Sequence, residues 1–134
     1  MRLPKVSEYM DTVVPTLTPE TDILSAVDFL LQHHVTGAPV VDEAGGIVGM
    51  LTEKDCLRLL TLGQSGEPAR GTVADFMTRK PMTVPPHMDI YYAAGIFLAN
   101  SFRRLPVVKD GKVVGAITRY DILKAMHATF RQPA

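Results

Sequence analysis

The sequence holds one cysteine, Cys56, and no tryptophan. A lone thiol excludes an internal disulfide, and its place in an apolar run reads as a small buried side chain, in keeping with a reducing compartment. No run reaches the roughly 18 apolar residues that cross a bilayer, and the opening MRLPKV has no continuous apolar stretch of the secretory kind. The expectation is a soluble, cytoplasmic protein with no membrane association. Net charge is lacking as well, because 14 Lys and Arg balance 14 Asp and Glu. That balance argues against the sequence-independent phosphate binding that a basic surface gives, so no nucleic-acid partner is expected.

Signatures of catalysis are also missing. GQSG, residues 63–66, is one residue short of a nucleophile elbow. GEPARGT, residues 66–72, has the glycine spacing of a phosphate loop but lacks its lysine and follows a helical pattern rather than a strand. His33 and His34 are sequence neighbours that point in different directions, and neither His87 nor His127 has a partner four residues away, so metal-ligand spacing is absent. No general base can be picked out. The chain reads as a non-enzyme without a metal.

What the sequence does contain is a repeat. IVGMLTEKDCL, from Ile47 to Leu57, returns as VVGAITRYDIL, from Val113 to Leu123, with Gly49, Thr52 and Asp55 matched by Gly115, Thr118 and Asp121. Upstream, Val6, Met10, Thr16, Pro19, Asp22, Ile23, Ala26 and Leu31 recur as Val73, Met77, Thr83, Pro86, Asp89, Ile90, Ala93 and Leu98. A one-residue deletion falls in a turn between these blocks, where duplication tolerates it. Two copies in 134 residues, 46% of them hydrophobic, suit one modest core or two small cores packed together. The copies differ in charge: residues 1–67 carry four basic and ten acidic side chains and residues 68–134 carry ten and four, giving −6 and +6.

Each copy reads as strand, helix, strand, strand, helix. Asp22 caps a helix with apolar positions Ile23, Val27, Leu30 and Leu31, and Asp89 stands likewise before Ile90, Ala93, Ala94, Phe97 and Leu98. Pro39 and Pro106 open short β-branched runs, and the turns at residues 42–46 and 109–112 are hairpin chemistry. A second helix follows Thr52, with Leu57, Leu59 and Leu60 apolar, and another follows Thr118, with Ile122, Leu123 and Met126 apolar.

These residues together resemble the cystathionine-β-synthase (CBS) domain, and two in tandem look like a Bateman module. The resemblance covers Val6 to about Met126. It implies an α/β (α+β) fold of two pseudo-symmetric β-α-β-β-α repeats packed through their sheets, residues 1–62 and 73–134, with residues 63–72 as linker. It further implies clefts between the repeats for adenosine-type ligands: AMP or ATP first, with S-adenosylmethionine or NAD as other members of the class. A disc-like homodimer and a separate effector protein follow from the same resemblance, since no effector domain is evident in the sequence.

Thr-x-x-Asp itself supports two readings. Thr at a helix N-cap with an acid three residues on is a capping box that stabilises the helix by roughly 1 kcal/mol. A carboxylate is also an acceptor suited to ribose hydroxyls, and a helix N-terminus with a Thr hydroxyl suits phosphate. Thr118 with Asp121, and Thr52 with Asp55, are therefore candidate ligand residues. Before Pro106 stand Arg103 and Arg104, and two guanidinium groups near a helix N-terminus suit a phosphate chain. Arg119 is a further candidate, replaced in the first copy by Glu53, which leaves that copy poorer for polyphosphate and open to a neutral adenosyl group or to none. By resemblance, the segment containing Gly37 lines the base or phosphate region, and Thr16 and Thr83 contact the base. The alternative for both threonines is simple β propensity at an edge. Gly49 and Gly115 read as structural, allowing close strand packing. Two functions stand at this point: a regulatory sensor of adenine nucleotide, or a ligand-free assembly module whose Thr-x-x-Asp groups only cap helices.

Overall fold

The computed structural model describes residues 2–64 and 70–131, with Gly63 and Gln64 described in backbone only. The chain forms two compact units: Pro15–Pro81, and Met1–Val14 together with Met82–Ala134. These units are not the two sequence copies. Each is built from one copy and the opening segment of the other.

In the Pro15–Pro81 unit, Leu17 bridges Val40 in parallel and leads into helix α1, Ile23–His33. Asp22 caps α1 as its sequence implies, accepting from the Leu24 N–H at 3.1 Å and the Ser25 N–H at 3.2 Å. The hairpin β1, Gly37–Val41, and β2, Ile47–Thr52, follows, then α2, Glu53–Cys56, and α3, Arg58–Gln64. The second helix of this copy is thus divided at Leu57 and is still helical at the start of the expected linker. Residues 65–69, which hold half of that linker and parts of the GQSG and GEPARGT stretches, lie outside the described residues. Helix α4, Val73–Phe76, and β3, Thr78–Arg79, complete the unit, with β3 antiparallel to β2. The core gathers Leu17, Ile23, Ala26, Leu30, Val40 and Leu51 around Val73 and Phe76.

The other unit repeats the plan. Val84 bridges Val107 in parallel, and α5, Ile90–Ala99, is capped by Asp89, which accepts from the Tyr92 N–H at 3.1 Å. Strands β4, Arg104–Lys109, and β5, Lys112–Thr118, form the hairpin, with Asp110 and Gly111 both at positive φ, and α6 spans Arg119–Phe130. Here the exchanged segment is a 3₁₀ turn, Val6–Glu8, followed by Asp11, which bridges Ala116 through two backbone hydrogen bonds of 2.9 Å. Val6 and Val73 occupy the same repeat position, and each is fully buried in the core of the unit built mainly by the other copy.

The exchange alters two expectations. Redistributed over the compact units, the charges become five basic and nine acidic side chains in Pro15–Pro81, net −4, and nine and five in the other unit, net +4, a smaller separation than the sequence halves carry. It also explains the repeated glycines. A Cβ on Gly115 would stand 2.9 Å from the Asp11 carbonyl oxygen, and one on Gly49 would stand 3.0 Å from that of Thr78, so the close packing expected there is packing against the exchanged segment.

Burial corrects the reading of the helix faces. Ile23, Ala26 and Leu30 of α1 and Ile90, Ala93 and Phe97 of α5 are core, but Leu31 is 68% exposed and Leu98 88% exposed. Leu57, Leu60, Leu123 and Met126 are also exposed, so several apolar residues that share a sequence period with the core do not enter it.

Candidate functional site

Antiparallel register builds the candidate site. In the unit holding the second copy's hairpin, Arg104 pairs with Thr118 across β4 and β5. Thr118 ends β5 and caps α6: its hydroxyl accepts from the Asp121 N–H at 3.2 Å and donates to Asp121 Oδ2 at 3.0 Å, and its own N–H donates to the same oxygen at 2.9 Å. Asp121 Oδ1 lies 3.4 Å from Lys124 Nζ. A carboxylate offers about four lone-pair positions, so three contacts leave room for a further donor. Thr83 precedes Val84, which bridges Val107 of β4 in parallel, so Thr83 lies beside β4, whose other neighbour β5 carries Thr118.

Arg104 is half-buried, and among the described residues its Nε is a buried side-chain nitrogen with no hydrogen-bond partner. Such a group ordinarily has one, because an unmet buried donor costs about 1–3 kcal/mol. Arg103 is exposed. Arg119, the first residue of α6, is exposed, and its Nη2 donates to the Asn100 carbonyl at 3.3 Å.

The other unit reproduces the frame without the arginines. Gly37 pairs with Thr52 across β1 and β2, the positions of Arg104 and Thr118. Thr52 and Asp55 form the same capping box, with contacts of 2.9, 3.0 and 3.3 Å. Gly37 is buried, and a Cβ there would meet the Leu51 carbonyl oxygen at 3.1 Å. Thr16 is exposed beside Leu17. Around Thr118 stand Arg103, Arg104, Arg119 and Lys124 against Asp121, whereas around Thr52 stand Lys54 and Arg58 against Glu53 and Asp55. One corner is basic and its counterpart is balanced.

A third box went unremarked in the sequence. Thr72 N–H donates to Asp75 Oδ2 at 2.8 Å, and the Thr72 hydroxyl does so at 3.3 Å, at the start of α4. Its Thr-x-x-Asp spacing stands in the sequence but is not duplicated: the repeat position holds Lys5 and Glu8, where the Lys5 N–H donates to Glu8 Oε2. Asp in place of Glu is thus compatible with capping in all three places. Arg58 also has a role invisible in sequence: Nε donates to the Asp55 carbonyl at 3.3 Å, Nη2 donates to the Phe76 carbonyl, and the guanidinium lies over the Phe76 ring.

Comparison with known proteins places this architecture. The model of the CBS domain matches residues 6–62 and 73–128. The chain belongs to the CBS domain family. Its CBS pair is 35% identical over 121 residues to the uncharacterized protein MJ1225 of Methanocaldococcus jannaschii, covering 90% of this chain and 42% of that one. It is 32% identical over 133 residues to the CBS domain-containing protein CBSX1, chloroplastic, of Arabidopsis thaliana, covering 80% and 56%. The chain thus spans about half the length of these curated relatives. Among solved structures, CBSX2 in complex with AMP superposes with a TM-score of 0.82 at 32% identity, covering 95% of this chain and 98% of that one. The CBS domain pair of MJ0100, in complex with 5′-methylthioadenosine and S-adenosyl-L-methionine, superposes with a TM-score of 0.82 at 25% identity, covering 96% and 99%. Two small mixed units, each a sheet with helices, are the CBS-pair fold that the repeat implied. No helix of the described residues is long and apolar enough to cross a membrane, and no cluster of three or more His, Cys, Asp or Glu among them is placed to hold a metal.

Proposed function

We propose that this chain is a regulatory adenine-nucleotide-binding module, not an enzyme, and that AMP or ATP binds at the Thr118 corner. The observation that carries the reading is the unpartnered buried Nε of Arg104 directly across from Thr118. A phosphate oxygen supplies the acceptor that this donor lacks, Arg103 adds a second guanidinium, and the remaining lone pair of Asp121 receives a ribose hydroxyl. Thr83, beside the Val84 bridge to β4, is the residue assigned to the base. The AMP complex of CBSX2 and the adenosyl complexes of the MJ0100 pair support the ligand class. The balanced Thr52 corner, with Gly37 in place of Arg104, takes an adenosyl group without a phosphate chain, such as S-adenosylmethionine, or stays without a ligand; NAD would draw on the arginine corner for its pyrophosphate. Thr16 and Asp55 are its counterparts to Thr83 and Asp121. Calorimetry with AMP, ATP and S-adenosylmethionine tests the assignment: Asp121→Ala loses AMP and ATP while retaining the fold by circular dichroism, and full affinity in that variant sinks it.

Signalling passes to a separate partner, and the chain self-associates as a homodimer through exposed apolar helix residues, among them Tyr91, Leu98, Leu123, Met126 and Phe130. Light scattering at micromolar concentration checks the second claim, which a monomer refutes. A ligand-free assembly module is the competing reading, and the Thr72 pair favours it, since there a threonine and an aspartate three residues on serve a helix start, the Thr72 N–H and hydroxyl both donating to Asp75, with Asp22 rather than an arginine paired in register. Full retention of nucleotide affinity in both Asp55→Glu and Asp121→Glu would support caps alone.

A further inference from the structure

Arg119 breaks a local rule. It is the first residue of α6, where the helix dipole is positive and a cation is disfavoured, and the first copy has the favoured acid, Glu53, at the same position. The compensation lies across the hairpin. Arg119 Nη2 donates to the Asn100 carbonyl at 3.3 Å, just beyond the C-terminal end of α5, where the dipole is negative and a cation is favoured. Asn100 is itself anchored, its Nδ2 donating to the Ile96 carbonyl at 2.9 Å. The backbone from Asn100 to Arg104 is therefore held at both ends: Asn100 is tied to Arg119, and Arg104 is paired in register with Thr118, the residue before Arg119. Between these ties lie Ser101, Phe102 and Arg103, the short connection that delivers both candidate phosphate-binding guanidinium groups.

We infer that Arg119 is a positioning residue, which sets the loop carrying Arg103 and Arg104 against the N-terminus of α6 without touching the nucleotide. The inference rests on the nucleotide reading above for its functional consequence, but the brace is a property of the free protein. It also gives a physical basis for the difference between the corners, because the first copy lacks both the arginines and the residue that would steady them.

Arg119→Gln separates the possibilities, since it removes the brace and the wrongly placed helix charge together. Hydrogen exchange on the ligand-free protein reads the brace directly: amides 101–103 exchange roughly three- to tenfold faster in the variant, as loss of one exposed hydrogen bond allows, while those of β5 are unchanged and the melting temperature does not fall. Unchanged exchange at 101–103 overturns the inference whatever the protein binds. Calorimetry with AMP supplies the second arm. Arg119→Gln weakens AMP binding in the parent but has no further effect when Arg103 and Arg104 are both alanine. An equal loss in both backgrounds would make Arg119 a direct ligand and overturn the positioning role. If the parent binds neither AMP nor ATP, the nucleotide reading fails, and the exchange measurement still decides the brace.

Discussion

The backbone of Gly115 runs so close to Met10 that a Cβ built on it would stand 2.5 Å from the thioether sulfur. The same relation holds between Gly49 and Met77, at 2.6 Å. Both pairs join a hairpin to the segment it receives from the other copy, so these glycines mark where the exchange is closest. Gly115→Ala is expected to destabilise the protein by about 1–3 kcal/mol, the usual range for overpacking. Combining it with Met10→Ala recovers only part of that loss, because the Asp11 carbonyl stays in the way. Denaturant unfolding checks both, and an unchanged midpoint for Gly115→Ala refutes the close approach.

The three threonine boxes allow capping and ligand binding to be separated. Thr72→Ala and Thr118→Ala each remove a hydroxyl that donates to the aspartate three residues on, but only the Thr118 hydroxyl also accepts the helix N–H of its aspartate, so Thr118→Ala is expected to cost about 1 kcal/mol of stability and Thr72→Ala less. Only Thr118→Ala should also weaken AMP binding. Equal affinities in the two variants, measured by calorimetry at one temperature, would reduce Thr118 to a cap.

Arg104 sets stability against binding. Its buried Nε has no hydrogen-bond partner among the described residues, so Arg104→Leu should leave the melting temperature unchanged or raise it, since an orphaned donor costs about 1–3 kcal/mol. The same variant should show a smaller AMP-induced increase in melting temperature, with weakened but measurable binding. A large fall in stability with binding intact would show that the guanidinium serves the fold instead.

Burial pushes the Cys56 thiol above its ordinary value, and the Asp55 carboxylate pushes the same way against an opposing effect of Arg58. A raised thiol pKa leaves less thiolate at any given pH, and thiolate is the reactive form. Alkylation of Cys56 at pH 8 is therefore expected to be slower than that of a free cysteine, with the midpoint of its rate profile shifted to higher pH. A profile at or below the ordinary thiol range would contradict the environment described.

Much of this molecule was determined by sequence alone, through interactions that act over a few residues. Asp22 and Asp89 cap their helices because a carboxylate two or three residues upstream of a free N–H needs nothing else. Asp110 and Gly111 turn their hairpin for the same kind of reason, and the repeat itself carried the family and the fold. Tertiary structure decided whatever depends on which distant segment arrives. Val6 and Val73 match in sequence, but only packing shows that each closes the other copy's core, because period and hydrophobicity record that a residue is buried and not by whom. Leu98 fits the apolar period of α5 and remains exposed, while Ile90, Ala93 and Phe97 of the same helix enter the core. Arg103, Arg104 and Arg119 look alike as three cations near one helix start. The register of β4 against β5, and the end of α5, make one the orphaned neighbour of Thr118 and another a hydrogen-bond donor to the Asn100 carbonyl.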